Sequence, residues 1–330
     1  MSRSASSAVS PQRVDAPLTK SATFLVVTLT NDVSDTTTTV RSTLASIADL
    51  SKNVAIRDPS AAFTCTVGIG SSAWDTLLSP LGHQKPAELH AFRAVKGALH
   101  TAPSTPGDLL FHIRSERRDL NFEFERQLLD SLGNSVAVAD ETVGFRYFDV
   151  RDLLGFVDGT ANPSSTAEVT DAVLVTSQDE PSQSQASAAV GGSYVVVQKY
   201  VHNMKTWRAL PAEAQEAIIG RTKWDNAELD DPDDPQTQKA HKTLATISDD
   251  DGNEYAILRD NMPFGSPGAG EFGTYFIGYA RRLWVVERML ERMFVGDPPG
   301  LHDRLLDYST ALTGSVFFAP NAGLLASLGD

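Results

Sequence analysis

The residues of this 330-residue sequence that could carry chemistry are mainly its histidines and a few charged positions in apolar surroundings. No two histidines have the H-x-x-x-H or H-E-x-x-H spacing of a zinc-binding helix, which argues against a metallohydrolase. The lone Cys65 excludes an intrachain disulfide and any multi-thiolate metal site. There is no G-x-S-x-G, no Walker A loop and no G-x-G-x-x-G after a strand, so nucleotide binding is not indicated. The histidines are His83, His90, His100, His112, His202, His241 and His302.

Asp158 stands in the stretch GFVDGTANP, residues 155–163, between Gly155 and Gly159. The two glycines are typical of a tight turn, because glycine adopts positive φ without a steric cost. The neighbouring Phe156 and Val157 indicate that this turn is at least partly buried. A buried carboxylate needs a partner, and the adjacent sequence offers none.

Arg259 and His241 raise a similar question. Arg259 ends a strand-like run in ILRDNMPFG, and His241 lies upstream of it in KAHKTLATI, just after an acidic loop. Taken alone, Arg259 could pair with an acid at the surface, and His241 could be an exposed residue that opens a strand. A buried arginine near a buried aspartate would instead indicate a functional pair, because charges removed from water need compensation.

The composition restricts the possible partners. A net charge of -14 and an isoelectric point near 4.9 argue against binding to nucleic acid or an anionic membrane surface. Part of this charge lies in DDPDD, residues 230–234, which is typical of a solvated loop. The sequence contains neither a signal-peptide core nor a run long enough to span a membrane. We therefore expect a cytoplasmic protein with a flexible N-terminal tail over residues 1–20.

The hydrophobic pattern predicts two halves that must position these residues. The first, residues 21–154, has strands at 22–30, 63–70, 108–115 and from 135 towards 150, with helices at 38–54, 74–78, 88–100 and 121–132. The second, residues 155–325, has strands at 191–202, 255–265, 273–282 and 314–320, with helices at 206–220 and 283–294. Segments 164–190 and 225–240 are polar and are predicted to be loops, and residues 326–330 a C-terminal tail.

The order strand, helix, strand, strand, helix, strand occurs in both halves. This is the order of the split βαβ, or ferredoxin-like, unit. The expected fold class is therefore α+β, with two ferredoxin-like halves, antiparallel sheets and peripheral helices.

Five stretches, taken together, resemble the dye-decolorizing peroxidases, and most closely their compact bacterial B-type. The resemblance extends from about residue 18 to residue 325 and includes the G-x-x-D-G element that is the hallmark of the family, here Gly155, Asp158 and Gly159. One such motif would be weak evidence, whereas five in the right order are strong. The stretches are GFVDGTANP, KAHKTLATI, ILRDNMPFG, GTYFIGYARRLWVVERML and DRLLDYSTALTGSVFF.

The resemblance implies one noncovalent haem b in the second half of a dimeric α+β barrel-like fold. By match to the family's motifs, His241 would be the proximal ligand of the haem iron. An acid that hydrogen-bonds the proximal imidazole is expected, with Asp303 as the first candidate and Asp307 as the second. The residues expected on the distal, peroxide-binding face or against the cofactor are Asp158, Arg259, Asn261, Gly159 and Phe276.

The implied function is reduction of hydrogen peroxide through a ferryl-oxo intermediate, with oxidation of dyes, phenols and other aromatic one-electron donors. A carboxylate such as Asp158 can move a proton between the two peroxide oxygens, first as base and then as acid. The Arg259 guanidinium can stabilise the charge on the leaving oxygen, and Asn261 can orient water or peroxide. Donors too bulky for the pocket would react at the haem edge or through a surface aromatic residue, with candidates Trp207, Trp224, Trp284, Tyr275, Tyr279 and Tyr308.

Two alternative functions are compatible with the same sequence. One is a haem-handling or deferrochelatase-like protein of the same fold, whose peroxidase activity would be incidental. The other is a ferredoxin-like interaction module without a cofactor. A homo-oligomer is expected, and the C-terminal LLASLGD is faintly similar to the peptide by which some relatives dock into an encapsulin shell.

Overall fold

The computed structural model describes residues 10–30, 33–181, 187–232, 234 and 236–329. The strands of the first half are β1 (Ser21–Leu29), β2 (Thr64–Gly70), β3 (Val95–Lys96), β4 (Thr101–Ala102), β5 (Leu109–Ser115) and β6 (Val136–Phe145). Its helices are α1 (Val33–Ala45), α2 (Ile47–Ala55), α3 (Ser71–Leu77) and α4 (Arg118–Leu132).

The second half begins after β6. Its strands are β7 (Ser193–His202), β8 (Leu258–Arg259), β9 (Met262–Ser266), β10 (Glu271–Ala280), β11 (Ser309–Ala311) and β12 (Ser315–Ala319). Its helices are α5 (Thr166–Val173), α6 (Met204–Arg208), α7 (Ala212–Ile219), α8 (His241–Leu244), α9 (Leu283–Phe294) and α10 (Ala322–Ala326). Within the described ranges, none of the helices combines the length and the apolar character that crossing a bilayer requires.

Ten strands of the described residues form one antiparallel sheet, in which both halves have the same strand order. The first half contributes β6-β1-β5-β2 and the second β12-β7-β10-β8, with β9 also paired to β10. In the first half, β6 lies beside β1, and β5 separates β1 from β2. In the second half, β12 lies beside β7, and β10 separates β7 from β8. This is the ferredoxin-like order, which confirms the predicted α+β class. The halves join where β2 pairs with β12.

The sheet curves until its ends approach each other, as the barrel-like architecture implies. Lys199 of β7 forms an ion pair of 3.0 Å with Asp140 of β6, and β9 contacts β6. Successive side chains of a strand point to opposite faces. Phe24 therefore joins a core on the inner face, and Leu25 joins a larger core that packs against the helices.

Several helix predictions need correction. The helix expected at 88–100 does not form, because this segment is held by contacts outside itself. The Glu88 backbone N–H donates to the Tyr194 hydroxyl, and its carboxylate accepts the N–H of Trp284. The segment then enters the short β3–β4 hairpin. The helices predicted at 38–54 and 206–220 are each divided, the second at Pro211, which precedes α7.

The polar segment 164–190 was predicted to be a loop, but it contains α5. The sequence signal for this helix was present, since Ser165 and Glu168 form a reciprocal capping box. The tails are also shorter than expected, because Gln12 and Val14 are buried at one end and Leu328 is buried at the other.

Gln12 links the two halves at their junction. Its amide nitrogen donates to the carbonyl oxygens of Val67 in β2 and of Pro320 just after β12, both at 2.8 Å, and its amide oxygen accepts the N–H of Val67 at 2.8 Å. Val67 and Pro320 stand opposite each other in the register set by the β2–β12 pairing. The side chain thus continues the sheet where the strands separate.

We predict that Gln12→Ala lowers the free energy of unfolding by about 2–3 kcal/mol, because it leaves buried backbone groups of Val67 and Pro320 without partners. Urea unfolding followed by circular dichroism measures this loss. Arg13→Ala, at a largely exposed side chain, is the control and should change stability little. A loss for Gln12→Ala no larger than that of the control would contradict the role of Gln12 at the junction.

Candidate active site

A large cavity lies against the outer face of the second half of the sheet. Its other walls include helices α8 and α9, the loop of residues 152–161 and the segment of residues 254–257. The two-residue period of β7 directs alternate residues into the cavity, while Val195 and Val197 face the inner core. Residues of the sheet that line the cavity include Gln198, Tyr200, His202, Thr274 and Phe276.

The segment Arg259–Met262 runs from the last residue of β8 to the first residue of β9 and follows the same alternation. Arg259 and Asn261 line the cavity, whereas Asp260 and Met262 are buried, each 3% exposed. The regular ladder is interrupted here, because the N–H of Ile277 in β10 donates to the Asn261 side-chain oxygen at 3.1 Å. This bond holds the Asn261 amide against the sheet with its nitrogen towards the cavity.

The sequence next to Asp158 offers it no partner, and in the structure its partner is Asn261. The Asn261 amide nitrogen donates to the Asp158 carboxylate, at 3.0 Å to Oδ2, and the Gly159 N–H donates to Oδ1 at 2.6 Å. Both donors fix the orientation of the carboxylate. Among the described residues, no hydrogen bond joins Asp158 to the Arg259 guanidinium, although both side chains line the same cavity.

Asn162 is a residue of this site that the sequence interpretation missed. Its side-chain nitrogen donates to the backbone carbonyl of Arg259 at 2.8 Å, and its side-chain oxygen accepts the Arg259 N–H at 3.0 Å. The Asp158 loop is thereby attached to the backbone that presents Arg259. Asn162 lies within GFVDGTANP, but its spacing from Asp158 alone does not reveal a partner that is distant in the chain.

The Asp158 loop is shaped by a turn centred on Asp152. The Asp152 carboxylate accepts the N–H groups of Gly155 and Phe156 at 2.8 and 2.9 Å. Gly155 and Gly159 have φ of +100° and +75°, in the region that favours glycine. A Cβ on Gly155 would also lie 2.5 Å from the Lys223 side chain. These glycines therefore serve the turn itself.

His241 is the first residue of α8 and does not open a strand. Its Nδ1 lies 2.6 Å from Oδ2 of Asp303, and its ring lines the cavity. Burial opposes protonation of His241, but the charge of Asp303 and the hydrogen bond to it outweigh burial and raise the pKa of the imidazole. Asp303 is fully buried and also caps the following turn through the Leu305 N–H.

Asp307, the second candidate for the partner of His241, lies elsewhere. Its carboxylate contacts His100, His302 and Arg304. The cavity therefore brings together His241, Asp158, Gly159, Arg259, Asn261 and Phe276, with Asp303 behind the imidazole.

A buried ion pair stands behind the Arg259–Asn261 segment. Arg114 of β5 is fully buried and its Nη1 lies 2.9 Å from Oδ2 of Asp260. The same guanidinium donates to the backbone carbonyl of Arg13 and to the Thr66 hydroxyl. The segment that lines the cavity is thus attached through Asp260 to the first half of the chain.

Comparison with known protein families agrees with this arrangement. Residues 11–146 match the N-terminal family of Dyp-type peroxidases, and residues 149–323 match the C-terminal family of Dyp-type peroxidases. The chain belongs to the Dyp-type peroxidase family, which confirms the predicted enzyme class. The boundary expected between residues 154 and 155 stays a prediction.

Individual relatives are similar over nearly the whole chain. The dye-decolorizing peroxidase of Mycobacterium tuberculosis is 49% identical over 318 residues, covering 96% of this chain and 90% of that protein. A variant of DypB from Rhodococcus jostii RHA1 in complex with heme is 49% identical, with a TM-score of 0.89 and coverage of 97% and 99%. The encapsulated DyP-type peroxidase of Mycobacterium smegmatis is 48% identical, with a TM-score of 0.88 and coverage of 97% and 98%.

The deferrochelatase alternative has weaker support. The deferrochelatase of Escherichia coli O6:K15:H31 is 25% identical over 284 residues, which cover 78% of this chain and 64% of that protein. The sequence identity to the dye-decolorizing peroxidase of Mycobacterium tuberculosis is about twice as high, and that match covers more of the chain. The cofactor-free interaction module is not favoured by either comparison.

Asp152 makes the stability of this loop dependent on pH. Burial raises the pKa of its carboxyl to about 7, whereas an unfolded aspartate has a pKa of about 4. The unfolded state therefore loses this proton first, and Asp152 destabilises the fold progressively as pH rises from about 4 to about 7.

We predict that Asp152→Asn becomes more stable relative to the unsubstituted protein by about 2 kcal/mol between pH 5 and pH 8, because its amide keeps the two backbone bonds without a buried charge. Denaturant unfolding at the two pH values measures the difference. Exposed Asp251→Asn controls for the loss of one charge. A difference that does not change with pH would contradict a raised pKa at Asp152.

Proposed function

We propose that this chain is a haem peroxidase in which His241 binds the iron and Asp158, Arg259 and Asn261 act on hydrogen peroxide. The observation that carries this proposal is the composition of one cavity. Helix α8 supplies an imidazole backed by a buried carboxylate, while the sheet and the Asp158 loop supply an acid, an amide and a guanidinium.

The residues of the cavity fit a noncovalent haem b. The Nδ1 of His241 is taken by Asp303, and no hydrogen bond from the described residues reaches its Nε2, which is the atom free to bind a metal. Apolar side chains provide the remaining surface that a porphyrin needs, from Phe276 on the sheet and from Val286, Met289, Leu290 and Met293 on α9. When bound, the haem supplies the iron that takes up peroxide and the redox equivalents of the reaction.

Asp303 has the role of orienting His241 and increasing its basicity. A carboxylate that accepts the second ring N–H of a ligating histidine fixes its tautomer and raises the electron density on the other nitrogen. Both Asp303 oxygens are used, one by His241 and one by the Leu305 N–H. The carboxylate therefore cannot rotate away from the imidazole without breaking the following turn.

Asp158 is the group that moves the proton. Its carboxylate accepts the proton of one peroxide oxygen and returns it to the other oxygen, which leaves as water. The bonds from Asn261 and Gly159 hold the carboxylate in one orientation throughout. Arg259 stabilises the negative charge on the leaving oxygen, and a guanidinium keeps its charge at any physiological pH.

We predict that Asp158→Ala and Arg259→Leu each slow the reaction with equimolar peroxide by about 10²–10⁴-fold, the usual contribution of a positioned acid–base group or charge. Stopped-flow absorbance of the Soret band measures the rate. Arg208→Leu, which lies outside the cavity, is the matched control. Unchanged rates in both distal variants would overturn the assignment and favour haem handling, since haem transport requires a ligand but no distal acid and base.

The reducing side of the reaction involves aromatic donors, and Trp284 is our candidate for their point of contact. Trp284 is 39% exposed, and its ring packs edge-on against Tyr255, with 4.9 Å between centroids. Tyr255 lines the cavity. Trp207, Tyr275 and Tyr279 are almost fully buried, so they cannot meet a bulky donor.

We predict that Trp284→Phe lowers kcat for a dye too large for the cavity by at least ~10-fold, equivalent to about 1.4 kcal/mol, because the exposed donor site is lost. The rate with peroxide should not change. Trp224→Phe, at a tryptophan that is 85% exposed and outside the cavity lining, is the matched control. An equal effect of the two substitutions would contradict a specific route through Trp284 and Tyr255.

Assembly and location remain proposals for this chain. The relative from Mycobacterium smegmatis is described as encapsulated, and we retain an encapsulin shell as a possible partner. The LLASLGD segment gives this little support, because Leu324, Leu325 and Leu328 are buried and are not available for docking. A homo-oligomer and a cytoplasmic location likewise stay predictions.

A further inference from the structure

Asp307 belongs to a cluster of side chains separate from the cavity. His100, from the turn between β3 and β4, and His302, which follows α9, both direct Nε2 at the same oxygen of Asp307. The distances to Oδ1 are 3.0 Å and 2.8 Å. The three potential ligand atoms lie within 4.8 Å of one another, and in the described ranges this is the one group of three or more such side chains that could hold a metal ion.

We propose that His100, His302 and Asp307 bind one divalent transition metal ion of the zinc class. Two imidazole nitrogens and one carboxylate oxygen suit Zn²⁺ and its neighbours, whereas Mg²⁺ and Ca²⁺ prefer oxygen ligands. Small side-chain rotations bring the three atoms to about 2.0–2.2 Å from a zinc ion. Water completes a tetrahedron, and the partly exposed side chains leave the ion a path from solvent.

Neighbouring side chains hold Asp307 and the His302 backbone in place without the ion. Arg304 donates through Nε to Oδ2 of Asp307 at 2.6 Å, which leaves Oδ1 as the one oxygen for the metal and orients the carboxylate. The side chain of Gln238 donates to the backbone carbonyl of His302 at 3.0 Å. Binding requires that each imidazole carry its proton on Nδ1, so that Nε2 offers a lone pair.

The site crosslinks two parts of the chain that are distant in sequence. His100 lies in the first half, and His302 and Asp307 flank the turn that contains Asp303 and Leu305. A bound ion stabilises the folded state by mass action, because the unfolded chain does not hold these ligands together. The proposal is independent of the haem assignment, since none of its three ligands lines the cavity.

The test uses purified haem-loaded protein without a histidine tag, first treated with a chelator. The protein is dialysed against increasing ZnCl₂, and elemental analysis gives bound zinc and iron per chain. The variants are His100→Gln, His302→Gln and Asp307→Asn. His90→Gln is the matched control, because His90 Nε2 lies 3.1 Å from a single carboxylate, that of Glu287. An unchanged Soret spectrum reports that each variant is folded.

We expect the unsubstituted protein and His90→Gln to bind one zinc ion per chain, and MgCl₂ not to compete. Each of the three variants should bind zinc at least ~10-fold more weakly, a loss of about 1.4 kcal/mol. Zinc should also raise Tm in the unsubstituted protein and not in His100→Gln. Equal zinc binding by all variants, an equal loss in His90→Gln, or no binding below millimolar zinc would overturn the proposal. Should a substitution near Asp303 prevent folding, His100→Gln in the β3–β4 turn remains decisive.

Discussion

The ion pair between Arg114 and Asp260 joins the two halves of the molecule behind the active site. Both side chains are almost fully buried, so each charge needs the other to compensate for its removal from water. Burial raises the pKa of Asp260, and Arg114 opposes this by favouring the charged form. Loss of one partner from such a pair typically costs about 3–5 kcal/mol, because the remaining charge stays buried. The neighbouring residues Arg259 and Asn261 are therefore anchored by a residue that never enters the cavity.

The alternation of strand residues explains how one short segment can both join the two halves of the chain and line the cavity. Asp260 faces the inner core and meets Arg114, while Arg259 and Asn261 face outward into the cavity. His112, also in the inner core, lies 3.8 Å from Asp260. Burial and the charge of Arg114 depress the pKa of His112, which keeps it neutral. The inner face of the sheet thus carries the buried ion pair, and the outer face carries the side chains that line the cavity.

Much of this architecture followed from local patterns. The alternating and apolar runs predicted the long strands, and the doubled strand order predicted the ferredoxin-like halves, because burial on one face imposes a period that is visible in the sequence. The helix expected at 88–100 was wrong, since contacts with Tyr194 and Trp284 replace its internal hydrogen bonds. Helix α5 was missed although its capping box was present, because the polar composition of the segment concealed it.

The sequence by itself determined the family and the residue types of the site: the aspartate in GFVDG, the arginine and asparagine of RDN, and the histidine before KTLATI. Only the tertiary structure decided which groups touch. In the structure, Asp158 is hydrogen-bonded to Asn261, and the Arg259 backbone to Asn162. His241 is hydrogen-bonded to Asp303, whereas Asp307 contacts two other histidines. The physical reason is that, apart from the local bond between His302 and Asp307, these hydrogen bonds connect residues far apart in the chain. The distant partners are set by strand register and by how the loops and helices pack on the sheet, which no local spacing records.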